Sequence, residues 1–319
     1  MKVLVTGATG VIGRPVLDLL VAAGHDVHGV ARSELKADGV RAAGAAPVSL
    51  DLFDAAAIDA AIGRLRPDAI MHLATHIPPV TRALLPGAMR DTIRLRRESS
   101  RHLVDAALAH GVGRYLQESI AFIYSDGGDD WLDEDAPIAA GPHQRAAAVS
   151  AAQTARVTAA GGDGVLLRFG MFYGATARDT RYQLERARAG KAAVMGPPDA
   201  YASTIRIEDA AAAAVAALRA PGGVYNVVED APARRRELNR HLAEALGVEP
   251  PPLVPAWALR LSRKSAMFAR SQRISNRRLR AATGWAPVWP SPAVGWPAVV
   301  AELAEPNRRG TAAVPRGAR

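Results

Sequence analysis

Short apolar runs alternate with helical patterns along the first half of the chain. Lys2–Thr6 reads as a buried strand, β-branched and bounded by glycine. Residues 7–13 form a turn, and 14–23 a helix closed by Gly24. Strands are predicted over 25–31, 47–50 and 68–73, with a helix over 55–65 between the last two. A long helix over 90–110 ends at Gly111, and 114–123 is a further strand. Strands alternating with helices of this length predict βαβ units and a parallel α/β sheet.

The second half is less regular. An acidic loop runs from Asp126 to Pro137, and 146–160 is an alanine-rich helix. Strands are expected over 165–170 and 224–228, with helices over 182–189 and 208–218 between them. Residues 250–255 form a proline-rich joint, and the tail 306–319 is polar and expected to be flexible. The organisation expected is a nucleotide-binding unit over 1–170, completed by the strand near 224–228. A substrate lobe follows over 171–305.

Composition narrows the chemistry. Of 319 residues, 49% are hydrophobic and 22% charged, ordinary usage for a folded protein able to bury a core. There is no cysteine, which excludes disulfides, thiolate metal sites and a cysteine nucleophile. No apolar run reaches the roughly 20 residues that cross a bilayer, and the first residues read as a strand, not a signal peptide. A cytoplasmic protein without membrane partners is expected. The formal charge is +9, and lysine occurs only at Lys2, Lys36, Lys191 and Lys264. No nucleic-acid motif accompanies that charge, so an anionic substrate or an acidic carrier protein is the partner it suggests.

The sharpest motif is Thr6-Gly7-Ala8-Thr9-Gly10-Val11-Ile12-Gly13, between a predicted strand and a predicted helix. Gly7 permits a tight turn, Gly10 lets backbone amides approach a pyrophosphate, and Gly13 lets helix pack on strand. The helix N-terminus adds unpaired N–H donors and partial positive charge. Past the second strand comes Ala31-Arg32-Ser33, with no carboxylate before Glu34. Arg32, with Ser33 and Arg14 beside it, suits a ribose 2′-phosphate, so NADP(H) is preferred and NAD(H) is the alternative. The other reading makes both arginines ordinary surface residues. Asp51-Leu52 suits the adenine side, and Leu73-Ala74-Thr75 a strand end along the cofactor.

These segments resemble the extended short-chain dehydrogenases/reductases of the NAD-dependent epimerase/dehydratase family. The match continues through Asp68–Ala74, Leu167–Gly174, Ile205–Ala211, Tyr225-Asn226-Val227 and Thr283–Pro287. The resemblance implies a Rossmann-type doubly wound sheet with a small C-terminal substrate-binding lobe. It also implies chemistry by Asn, Ser, Tyr and Lys, the tyrosine moving a proton and the lysine lowering its pKa. Here the pattern breaks. Residues 142–150 read PHQRAAAVS, with neither Tyr nor Lys, and the first asparagine of the chain is Asn226. Ile93 and Arg96 stand around the asparagine's place. Ser119 or Ile120 falls where the serine belongs, depending on one inserted residue.

Substitute groups are therefore sought. His76, in the loop after the fourth strand, is placed for acid–base work beside the nicotinamide, or is a solvent-facing loop residue. Ser119 and Tyr124 complete the catalytic candidates; the other reading of Tyr124 is a packing aromatic. Glu118, His143, Phe172 and Tyr173 are candidates for a substrate pocket. The six carboxylates between Asp126 and Asp135 match no metal-loop spacing, and no metal is expected. The arginine-rich stretch 260–280 reads as a solvated helical face or as the anionic dock. The function expected is reduction or oxidation of a small organic carbonyl or alcohol with a non-standard proton donor. The alternatives are a non-redox cyclase or isomerase on the same scaffold, and a non-catalytic NADP-binding regulator. A monomer or homodimer is expected.

Overall fold

Val3, Leu4 and Val5 have no exposed surface, which puts strand β1 (Lys2–Thr6) in the middle of the molecule. The computed structural model describes residues 1–79, 82, 85, 87–254, 257, 259 and 266–305. The side chains of 142–144 and 266 also lie outside what it describes. The chain forms β2 (Asp26–Val30), β3 (Ala46–Val48), β4 (Ala69–His72), β5 (Arg114–Ile120), the short β6 (Trp131–Leu132) and β7 (Asp163–Phe169). It continues through β8 (Met171–Tyr173), β9 (Tyr201–Ala202), β10 (Thr204–Arg206) and β11 (Gly223–Val227).

Seven of these build one parallel sheet in the order β11-β7-β5-β4-β1-β2-β3. The chain winds outward from β1 to β3, then restarts at β4 on the other side of β1. That reversal opens a crevice beyond the C-terminal ends of β1 and β4, where α/β sheets bind ligands. Register aligns the ends, with Thr6 opposite His72 and His72 opposite Gln117. Both faces are covered, as a parallel sheet requires. Helices Gly13–Ala22 and Ile207–Ala216 bury Val16, Leu17, Leu20 and a run of alanines on one face. Helices Ala55–Leu65 and Ser100–Ala109 bury Ile58, Ile62, Leu103 and Val104 on the other.

The expected long helix over 90–110 is one helical run with a π-helical turn at Leu95–Ser99. A helix at Glu34–Arg41 was not anticipated. It buries only Ala37 and Val40, too few apolar positions to show a period in a charged segment. The acidic loop contains β6, which pairs with β13 (Arg273–Ile274), beyond the two-residue β12 (Ala233–Arg234). A separate core gathers Leu184, Val194, Leu238, Leu242, Trp296 and Val299, contributed largely by helices Arg178–Arg188, Arg235–Leu246 and Pro292–Ala304. The last two helices were unforeseen; Pro297 inside the final one masks its helical signal. The tail 306–319 and Arg260, Arg263 and Lys264 of the basic stretch lie outside the described residues.

The C-terminal core meets the sheet at a buried acid. Glu229, just past β11, accepts hydrogen bonds from the Tyr173 and Thr204 hydroxyls, the latter at 2.6 Å. Burial pushes its carboxyl up to about 7, although both donors favour the ionised form. The folded chain therefore holds this proton more tightly than the unfolded one. Its stabilising contribution is complete below the ordinary carboxylate value and is lost as pH rises through about 7. Glu229→Gln removes the titration. The melting temperature of the variant relative to wild type is expected to climb between pH 4.5 and 7.5; a pH-independent difference contradicts this assignment.

Candidate active site

The glycine turn is held by sterics that admit no side chain. Gly7 has φ +71°, and a Cβ there would lie 2.6 Å from the Leu73 carbonyl carbon. A Cβ on Gly13 would lie 2.0 Å from the Gly7 carbonyl oxygen. The Gly10 amide donates to that same oxygen at 2.8 Å, closing the turn. Among the described residues, the Val11 and Ile12 amides have no acceptor in the chain, and the helix begins at Gly13. Ile12 is buried in the core and Val11 exposed. These are the bare donors an anionic diphosphate needs. Thr6 lies beneath the turn, its hydroxyl 2.6 Å from His72 Nδ1. Burial drives the His72 imidazole down to about 3, so it stays neutral and structural.

Above the turn runs a cleft of about 260 Å³. Of the residues anticipated from sequence, Gly7, Thr9, Gly10, Arg32, Asp51, Leu52, Ala74, Thr75 and His76 all line it. Lys36, Phe53, Asp91 and Leu95 line it too and were missed. Lys36 lies in the first turn of helix Glu34–Arg41, just past the loop that carries Arg32. Arg14 is corrected. Its guanidinium donates to the Gly39 carbonyl at 2.7 Å and pairs with Asp18, and it does not line the cleft. Ser33 serves as the exposed N-cap position of helix Glu34–Arg41, and Leu73 packs in the core, its carbonyl against Gly7.

The proposed catalytic set does not assemble. Of its members, His76 alone lines the cleft, with its side chain 63% exposed and its Nε2 4.0 Å from Asp91. Tyr124 has no exposed surface. Its hydroxyl donates to Asn226 Oδ1 and accepts from Arg168, each at 2.7 Å, and burial raises its pKa. Its only proton is thus committed inside the protein, which corrects its assignment as an acid toward substrate. Ser119 is buried on β5, and its Oγ has no partner among the described residues. Ile120 closes the strand and packs with Ile123 and Ala147.

The pocket residues behave similarly. Glu118 forms a two-pronged buried ion pair with Arg96, at 3.0 and 3.1 Å, and is not a free acid. Phe172 packs at 5.4 Å from Phe169, and Tyr173 stacks at 4.9 Å on Trp296 while bonding Glu229. Tyr173 belongs to the core, which corrects its placement in a pocket; Phe172 is half-buried against the core, and neither lines the described cleft. The side chain of His143 lies outside the described residues.

The charged loops are largely satisfied within the chain. Arg270 donates to the Tyr124 carbonyl, Arg273 stacks on Trp131, Arg278 pairs with Asp135, and Arg280 pairs with Asp230. Of the acidic loop, Asp126 and Asp133 accept from backbone amides two residues on. Asp129 pairs with Arg234.

The bare amides, the missing Cβ atoms and a cleft lined by Arg32 and Lys36 fit a nicotinamide dinucleotide, whose diphosphate Gly7, Gly10, Val11 and Ile12 would hold. Comparison with known proteins agrees. The profile of the NAD-dependent epimerase/dehydratase family matches residues 3–228, and the chain belongs to that family. A 3-diazoavenalumate denitrifying reductase from a Streptomyces species is 37% identical over 308 residues, covering 91% of this chain and 97% of that protein. Among solved structures, a human epimerase family protein (SDR39U1) with NADPH superposes with TM-score 0.78 at 22% identity, covering 95% of this chain and 100% of that one. Thermus thermophilus UDP-glucose 4-epimerase with NAD gives 0.76 at 22% identity, covering 95% and 99%. The chain is thus an NAD(P)-dependent enzyme of oxidoreductase or epimerase type. No helix among the described residues is long and apolar enough to cross a membrane.

Tyr124→Phe strands Asn226 and Arg168 in the interior. It is expected to cost about 1–3 kcal/mol of stability and to leave NADPH affinity unchanged. A variant of wild-type stability with lost turnover would return Tyr124 to the reaction.

Proposed function

We infer that the protein is an NADPH-dependent reductase that replaces the diazo group of an aromatic acceptor by hydrogen, releasing dinitrogen. The carrying observation is that the usual proton-transferring pair is missing from its expected helix. Helix Pro142–Ala159 has neither tyrosine nor lysine, and Tyr124, the tyrosine past β5, holds its proton on Asn226. Reducing a carbonyl needs a hydride at carbon and a proton at oxygen, and losing the proton donor costs about 10²–10⁴-fold. A reduced nicotinamide, when bound, supplies the hydride. On an ortho-diazophenol, in its diazonium–phenolate form, the balance closes without a proton at the reacting carbon: a C–H bond forms, the C–N bond breaks, and its electron pair leaves with N₂. Hydride and acceptor thus give a phenolate and dinitrogen, and the phenolate takes its proton from solvent afterwards. The 37% identical relative, named for the same kind of reduction, supports this reading.

The chain's own task is then to bind, orient and keep water off the acceptor. Preference for NADPH is supported by Arg32 and Lys36 lining one stretch of the cleft. The nearby Glu34 carboxylate is paired with Arg41 at 2.7 Å, so it does not compete for a ribose hydroxyl. His76 is the group in the cleft able to protonate a carbonyl substrate, and the two chemistries separate on it.

The test offers NADPH with an ortho-diazophenol carrying a carboxylate, and in parallel a ketone and aldehyde panel. Dinitrogen release stoichiometric with NADPH oxidation is expected for the diazo compound, and little turnover of the panel. His76→Ala is expected to leave diazo reduction within about threefold; loss of general acid catalysis would instead cost about 10²-fold or more. Carbonyl turnover that collapses in His76→Ala, with no dinitrogen released, overturns the proposal. Arg32→Ala is expected to weaken NADPH binding roughly 10–100-fold and NADH binding little; equal losses remove the 2′-phosphate assignment.

A further inference from the structure

Phe53 is an aromatic side chain that the core does not use. The loop carrying it is fixed from both sides, since the Asp51 carboxylate accepts from the Phe53 amide at 3.0 Å and Asp54 caps helix Ala55–Leu65 through the Ala57 amide. Phe53 joins none of the apolar core clusters, and its ring borders the cleft beside Asp51 and Leu52. The Arg94 guanidinium lies 3.8 Å from the ring centroid. Arg94 is itself held by Glu98 at 2.8 Å.

Arg94 belongs to the helical run that also shapes the other wall. Asp91 and Leu95 line the cleft from it, and the Thr92 hydroxyl donates to the His76 carbonyl at 2.5 Å. Two residues past Arg94, the buried Arg96–Glu118 pair pins the run to β5. One short helix therefore touches Phe53 with one side chain and ties down the His76 loop with another.

We propose that Phe53, backed by Arg94, is a stacking wall for the cofactor's adenine, and that the helix through Thr92 carries this contact to His76, so that the adenosine half of the dinucleotide positions the His76 loop. It rests on the reading of the cleft as a dinucleotide site. Base–aromatic stacking is sequence-tolerant and strong, and a guanidinium on the ring rigidifies the platform. Phe53 and Arg94 are binding residues in this account, and Thr92 a positioning residue.

The experiment compares binding of NADPH and of reduced nicotinamide mononucleotide, which lacks adenosine. Phe53→Ala is expected to weaken NADPH roughly 10-fold or more and to leave the mononucleotide unchanged, with Arg94→Lys close to wild type and Arg94→Ala intermediate. Then adenosine 2′,5′-bisphosphate, which carries no nicotinamide, is titrated while the His76 ring signals are followed by NMR. A shift is expected in wild type and a much smaller one in Thr92→Val, at unchanged fragment affinity. Equal losses on both nucleotides, or none on NADPH, overturn the wall. A shift fully retained in Thr92→Val overturns the link to His76. Wild-type protein that binds no NADPH refutes the underlying site, which is a distinguishable result.

Discussion

The molecule is arranged around a few backbone amides left without partners. Among the described residues the Val11 and Ile12 N–H groups have no acceptor, and they follow a turn that bends as tightly as it does because Gly7 and Gly13 carry no Cβ to strike Leu73 and the Gly7 carbonyl. Paired, those donors would cap a strand–helix turn; bare, they concentrate positive potential where the sheet order reverses. The rest of the cleft extends that choice, with β4's end and the Asp51 loop forming walls and Arg32 and Lys36 adding charge.

The chemistry follows from what the helix over the sheet lacks. Alanines pack where a proton-transferring pair is expected: Ala146 and Ala147 are buried, and Ser150 is buried without a partner among the described residues. Tyr124, the remaining tyrosine nearby, is locked between Arg168 and Asn226. On the function proposed above, a cofactor cleft without the Tyr–Lys pair suits an acceptor whose leaving group departs as a neutral gas. Such a reaction needs positioning and dryness more than acid catalysis.

The legible and illegible parts of the sequence divide along physical lines. The glycine turn could be read because its signature is local: three glycines fall within seven residues between a strand and a helix, even though the backbone that excludes a Cβ at Gly7 belongs to Leu73 and Ala74. Strands β1, β4 and β7 could be read because both their faces are buried, which leaves largely apolar runs. The helix at Glu34–Arg41 could not, since two buried side chains make no period. Tyr124 shows a different limit. Its role is set by Arg168 and Asn226, 44 and 102 residues away, and no local pattern announces such partners. Phe53 shows the same limit, since its ring partner Arg94 lies 41 residues further along the chain.

The most direct measurement of the account is where the new hydrogen comes from. Reduction of an ortho-diazophenol with NADPH deuterated at the transferring position should place one deuterium on the ring carbon that carried nitrogen. Unlabelled NADPH in heavy water should place none there. Ring deuterium drawn from solvent, or nitrogen retained on the product, would contradict hydride replacement of dinitrogen.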